Sequence, residues 1–89
     1  MKIQIGKRFA KDVQGITDKR ILRKIRGVLE QARSAKSLGE VHELEAMSGY
    51  SGFYRIKFDY RYRIGVYLDG DCVQFLRVGR REDFYNKFP

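Results

Sequence analysis

Polar and hydrophobic residues alternate over Lys2–Ile5, placing Ile3 and Ile5 on one face before Gly6 breaks the run. That period of two predicts a short strand. Over Lys7–Gln14 the spacing turns helical, with Phe9, Ala10 and Val13 as the inward stripe and Gly15 as the stop. The clearest helical signal follows, in Ile21, Leu22, Ile25, Val28, Leu29, Ala32 and Ala35. Thr17 or Asp18 can cap that helix through a side-chain oxygen, and the pattern fades between Lys36 and Gly39. Gly27 costs the helix about 1 kcal/mol against alanine, which predicts close packing against a neighbour.

The second half of the chain reads as sheet. Residues 41–46 predict a strand and 47–52 a loop. In 53–58, Tyr54, Ile56 and Phe58 share one face, against Phe53, Arg55 and Lys57. In 62–68, Tyr62, Ile64, Val66 and Leu68 oppose Arg63, Gly65 and Tyr67. Slipping this pair by one residue would bring arginines onto the hydrophobic face. A three-residue loop, Asp59-Tyr60-Arg61, avoids that by pairing Phe58 with Tyr62 and Lys57 with Arg63. This register gathers Arg55, Lys57, Arg63 and Tyr67 on one open surface. Asp69-Gly70 predicts a two-residue hairpin with positive φ at both central positions. Residues 72–78 are apolar on both faces, Val73 and Phe75 against Cys72, Leu76 and Val78, as in a strand with cover on both sides. Gly79 then turns the chain into a short tail, 80–87, from which Phe84, Tyr85 and the following Phe88 can fold back on the sheet. The expected class is α+β: one domain, residues 1–89, with an antiparallel twisted sheet and two N-terminal helices on one face, in the order β-α-α-β-β-β-β.

Charge adds a partner to this outline. Nineteen Lys and Arg against 11 Asp and Glu give a formal net charge of +8. So large an excess on a small domain favours a polyanion: nucleic acid, a ribosome or an acidic protein. Lys19, Arg20, Arg23, Lys24, Arg26 and Arg33 fall on the outer face of the long helix, where they add long-range attraction. No apolar run approaches the 18 or so residues of a membrane span. The single cysteine, Cys72, excludes an internal disulfide, and its strand pattern predicts a core position. These features point to the cytosol. The one histidine, His42, has no second histidine and no cysteine at ligand spacing, so neither a metal nor another cofactor is expected.

RNA can be cut without a metal if the 2′-hydroxyl loses a proton, attacks the adjacent phosphorus and expels the 5′-oxygen. The protein must then supply a proton acceptor, a proton donor and positive charge at the phosphate. The cationic strands contain no histidine for these tasks. Lysine or tyrosine can replace it where like charges crowd, arginine forks fit phosphate oxygens, and tyrosines stack on unpaired bases. Each residue has a plainer alternative: Tyr54 and Tyr67 as half-buried strand residues, Arg61 as hairpin surface charge, Glu82-Asp83 as a helix start or ion-pair partners.

Phe53-Tyr54-Arg55-Ile56-Lys57, Tyr62-Arg63-Ile64 and Val78-Gly79-Arg80-Arg81-Glu82-Asp83-Phe84-Tyr85, in this order behind a strand and two helices, resemble the RelE/ParE toxin superfamily of bacterial toxin–antitoxin systems. The likeness spans nearly the whole chain. It implies a RelE-like mRNA interferase, a metal-free endoribonuclease that enters the ribosomal A site and cleaves the message there. By motif position the resemblance makes Lys57, Arg81 and Tyr85 the catalytic candidates. Lys57 would be proton acceptor or charge stabiliser, Arg81 would serve the leaving oxygen, and Tyr85 would stack on or position the nucleotide. Arg55, Arg63, Arg61 and Arg80 would bind RNA phosphates, Arg63 at the scissile one. Many relatives carry histidine where this chain has Arg80, which moves proton transfer onto Lys57 or Tyr85 or changes the activity. The implied partners are an acidic, partly disordered antitoxin, the ribosome and its mRNA, with operator DNA met only through the antitoxin complex. Two alternatives remain: a ParE-like inhibitor of DNA gyrase, and a catalytically inactive RNA-binding homologue. The retained Arg55, Lys57, Arg63, Arg81 and Tyr85 favour the RelE branch.

Overall fold

The computed structural model describes residues 1–89. The elements are β1 (Lys2–Ile5), α1 (Lys7–Gln14), α2 (Lys19–Ser34), a single 3-10 turn at Leu38–Glu40, β2 (Leu44–Ala46), β3 (Phe53–Ile56), β4 (Tyr62–Asp69), β5 (Cys72–Arg80) and α3 (Arg81–Lys87). The sheet order is β1-β5-β4-β3-β2. β1 runs parallel to β5 and every other pair is antiparallel. The α+β expectation therefore holds, with two differences: β1 joins an otherwise antiparallel sheet in parallel, and the expected tail is a third helix.

The two N-terminal helices carry the chain from one edge strand, β1, to the other, β2, and bury one face of the sheet. Phe9, Ile21, Ile25, Val28 and Ala32 meet Ile56, Ile64, Val66, Val73, Phe75 and Val78 in a single core. Between the two capping candidates at the start of α2 the structure selects Asp18, whose carboxylate accepts from the N–H groups of Arg20 and Ile21. Asp12 fastens α1 to β5. It accepts two bonds from the Arg77 guanidinium, at 2.9 and 3.1 Å, and one from the Val78 N–H at 3.0 Å. Burial alone would raise the Asp12 pKa, but Arg77, Val78 and the nearby Lys87 outweigh it and leave it lowered.

The expected register between β3 and β4 is present. Ile56 faces Ile64 and Arg55 faces Gly65, which carries Phe58 to within 6.2 Å of the Tyr62 ring. β3 itself ends at Ile56, although the next N–H, that of Lys57, still donates towards β2, to the Glu43 carbonyl at 3.0 Å.

Several details depart from the sequence reading. β5 extends to Arg80, so Gly79 does not turn the chain. A bulge leaves Leu76 unpaired, since Gly65 faces Arg77 while Val66 faces Phe75. This extra residue reverses the alternation and brings Val78 onto the core face with Val73 and Phe75. The β4–β5 hairpin closes one residue later than expected. Asp69 pairs with Cys72, the loop is Gly70-Asp71, and only Gly70 has positive φ, at 63°, the glycine-first pattern of a type II′ turn. Cys72 is half-buried at the start of its strand rather than in the core. Gly27 is packed against nothing, since a Cβ there would have no atom within 4 Å.

On the other face of the sheet, α3 lies across β4 and β5. Phe84 of the helix and Phe88, just past its end, are buried there with ring centres 5.2 Å apart. Glu82 and Asp83 sit in the first turn, where negative charge suits the helix dipole. Gly65 admits the helix: a Cβ on it would lie 2.6 Å from the Phe88 ring. Gly65→Ala should therefore unseat Phe88 and lower stability by about 1–3 kcal/mol, measured by urea denaturation.

Candidate functional site

The loop from Lys57 to Arg61 is held from three directions. Asp59 is 8% exposed and its carboxylate accepts from Lys24 Nζ at 2.7 Å and from Arg20 at 3.1 Å, both on α2. Its second oxygen accepts the Arg61 N–H at 2.9 Å. Lys24 is the strongest cause of a pKa lowered to about 2, with burial opposing and the Arg61 N–H and Arg20 assisting. From below, Arg63 donates through one nitrogen to the carbonyls of Asp59, Tyr60 and Tyr62, at 2.9, 3.3 and 2.9 Å. From the far side, the Arg81 N–H donates to the Arg61 carbonyl at 2.8 Å and docks the start of α3 onto the loop.

This bracing decides where the expected site residues lie. Arg81 and Tyr85, one helical turn apart, project from the exposed side of α3. The Arg81 guanidinium sits 4.7 Å from the centre of the Tyr60 ring, within cation–π range. Tyr85 is 50% exposed, with the Arg55 guanidinium 6.0 Å from its ring centre. Arg55 also forms an ion pair with Glu45, its cross-strand partner on β2. Lys57 is exposed and forms no ion pair. Arg61 is exposed on the same loop. The contacts thus join Arg55 to Tyr85, and Arg81 to Tyr60 and the Arg61 backbone, while Lys57 on the same loop lines a cleft with residues of α2.

Two candidates stand apart. Arg63 was expected on an open surface but is only 6% exposed, its guanidinium occupied with loop carbonyls and its Nε buried without a partner. The alternation assigned its face correctly, but α3 and the loop cover that face. Arg80 is exposed and opens with Arg8 and Lys11 onto a different cleft, between α1 and α3. Tyr67, expected on the same open surface, is half-buried against Phe53, with ring centres 4.8 Å apart. The crowd of cations read from the sequence is consequently thinner, because Glu45 neutralises Arg55 and Arg63 is sunk.

Sequence reasoning passed over Tyr60, Asp59 and Glu45 as site residues. An aspartate and a tyrosine between two strands read as ordinary loop residues. The contacts that give Asp59 and Tyr60 roles come from α2 and α3, distant in sequence, and that of Glu45 comes from pairing with Arg55 across β2 and β3.

Chemically, the region offers exposed cations and aromatic faces on a rigid base, a combination suited to a phosphodiester strand with unstacked bases. No protein-family model matches the chain. A relative from Methanocaldococcus jannaschii, described as toxin RelE3, is 32% identical over the full length of both chains. The toxin in a RelB–RelE antitoxin–toxin complex crystal structure from Methanococcus jannaschii superposes with a TM-score of 0.81, at 30% identity over 97% of this chain and 99% of that one. The toxin in the Escherichia coli DinJ–YafQ complex shares the fold at a TM-score of 0.74 and 17% identity, over 94% and 96% of the two chains. Fold and relatives together define a small toxin of a toxin–antitoxin system. The chain belongs to the RelE family.

The brace at Asp59 has a pH signature. Its folded pKa lies below the unfolded value of 3.8, so between the two the unfolded chain binds more protons. The stabilisation is complete above about pH 4 and lost as pH falls towards about 2. Asp59→Asn should be less stable by about 1–2 kcal/mol at neutral pH, discounted for the exposed Arg20 and Lys24 partners. Thermal unfolding of both proteins from pH 7 to 2 should show the gap closing only in the acid range.

Proposed function

We propose that the protein is an mRNA interferase: a metal-independent endoribonuclease that cleaves messenger RNA on the ribosome and so stops translation. The observation that carries this reading is the meeting of Arg81 and Tyr85 from α3 with Arg55 of β3 and with the braced loop on which Lys57 and Arg61 are exposed. In the reaction the 2′-hydroxyl gives up its proton as its oxygen bonds to phosphorus. The bond from phosphorus to the 5′-oxygen breaks, and that oxygen takes up a proton. The products are a 2′,3′-cyclic phosphate and a 5′-hydroxyl.

Lys57 serves the attacking oxygen, as proton acceptor or as the charge that stabilises it. Arg81 stabilises the phosphate as negative charge builds and serves the leaving oxygen. The contact between Arg81 and the Tyr60 ring holds that guanidinium in place before substrate arrives, which limits reorganisation in the transition state. Tyr85 offers its exposed ring to a base. Arg55 and Arg61 bind flanking phosphates, with Glu45 giving way at Arg55 as RNA enters. Arg63 acts as a positioning residue, through the loop carbonyls it holds, and Arg80 meets the strand farther from the cut.

The net charge of +8 suits an acidic antitoxin as the neutralising partner. The RelB–RelE and DinJ–YafQ complexes support such a partner. The site is tested by induced expression with mapping of mRNA 5′ ends, with translation running and with it blocked. The wild type should arrest growth and create new ends only while ribosomes translate. Arg81→Ala with Tyr85→Ala should lower cleavage by about 100-fold or more and relieve the arrest, with the unfolding midpoint preserved. Full toxicity in the folded double variant would overturn the assignment. Intact mRNA with dose-dependent inhibition of purified gyrase would replace the reading with the ParE-like one.

A further inference from the structure

A cleft of about 630 Å³ opens beside the braced loop, between α2 and the segment leading into β2. Gly27, Gln31, His42, Glu43, Lys57 and Tyr60 are among its lining residues. Two departures from ordinary backbone preference meet in it. Gly27 lies in the interior of a 16-residue helix, yet a Cβ there would touch nothing within 4 Å, so close packing does not account for it. Glu43 is the one non-glycine residue with positive φ, at 59°. Backbone strain of this kind persists where the surroundings impose it and clusters at ligand sites. Its consequence is specific: the Glu43 carbonyl accepts the Lys57 N–H and so fixes the backbone of the one site lysine. Gln31 Oε1 accepts the His42 N–H at 3.2 Å, leaving the Gln31 amide N–H groups as donors. Lys24, also on the rim, is held by Asp59, whereas Lys57 has no acidic partner.

The chemistry of this lining is that of a nucleotide site. Lys57 supplies one unpaired positive charge for a phosphate, His42 and Tyr60 supply flat rings for a base, and Gln31 and Glu43 supply a donor and an acceptor for its edge. The volume lies within the range of small-ligand sites. We propose that the cleft holds the RNA nucleotide adjoining the cleaved bond, with Gly27 keeping the cleft floor open and Gln31 and Glu43 discriminating among bases. The assignment to a strand being cut rests on the interferase reading; binding of a nucleotide here does not.

The test is titration of the full chain with adenosine, guanosine, cytidine and uridine 5′-monophosphates, followed by backbone amide NMR. Amides of Gly27, Gln31, His42, Glu43 and Lys57 should shift, with affinities that differ among the four bases. Gly27→Leu, which fills the cleft while favouring the helix, should weaken binding roughly ten-fold or more, and His42→Ala by a few-fold. Gly27→Ala, with a smaller side chain in the same place, should weaken binding less than Gly27→Leu does. All three variants should unfold at or above the wild-type midpoint, apart from a small loss in His42→Ala. Shifts confined to other surfaces, or unchanged binding in folded Gly27→Leu, would overturn the proposal. Nucleotide binding in the cleft with cellular mRNA left uncut would keep the cleft and remove the interferase reading. Cut mRNA with Gly27-independent binding would do the reverse.

Discussion

Asp59 joins the two halves of the molecule. A chain with eight excess positive charges must gather cations without letting them push its parts away from one another. One buried carboxylate meets this need by accepting from Lys24 and Arg20 on α2 and from the backbone of its own loop at Arg61. The helical layer, the end of β3 and the start of β4 are thereby fixed relative to one another. Arg63 completes the brace from beneath, holding two carbonyls of the five-residue loop, Asp59 and Tyr60, and that of Tyr62 at the start of β4. The cations that remain exposed, Lys57 and Arg61, are mounted on a rigid base.

α3 closes the site from the other side of the sheet. Its route depends on missing side chains: Gly65 leaves room for the Phe88 ring, and a Cβ on Gly79 would lie 2.7 Å from the Lys87 ammonium. Glycine within a strand ordinarily weakens it. Here the loss is offset by the burial of Phe84 and Phe88 on a sheet face that would otherwise present Phe53 and Tyr67 to water.

How much of this was legible in the sequence follows from the range of the interactions involved. The two N-terminal helices and the β3–β4 register could be read because each rests on local periodicity and on keeping apolar faces together. The third helix could not. Seven residues scarcely complete two turns, and its apolar Phe84 and Phe88 gain meaning only from two distant glycines. The bulge at Leu76 was hidden for a similar reason, since apolar residues fall on both faces of β5 and leave no clean alternation to interrupt. The site was legible in composition but less so in arrangement. Alternation placed Arg63 on the same face as Arg55, whereas only the loop fold and α3 determine that one is buried and the other half-buried.

One short helix therefore carries two duties on opposite sides. Phe84 and Phe88 hold it to the sheet, while Arg81 and Tyr85, one residue on from the first and three before the second in the case of Tyr85, face the loop and Arg55. Removing the helix would expose the sheet face and abolish the site together, so deletion cannot separate folding from chemistry. Substitution on the exposed side can, because Arg81 and Tyr85 are both exposed and only the edge of the Tyr85 ring meets buried Phe84, with ring centres 5.2 Å apart. The same separation applies at the loop: Asp59 and Arg63 belong to the brace, and Lys57 to the chemistry. Residues that look alike in the sequence, basic and closely spaced, divide into those that hold the site and those that act in it according to what their donors touch.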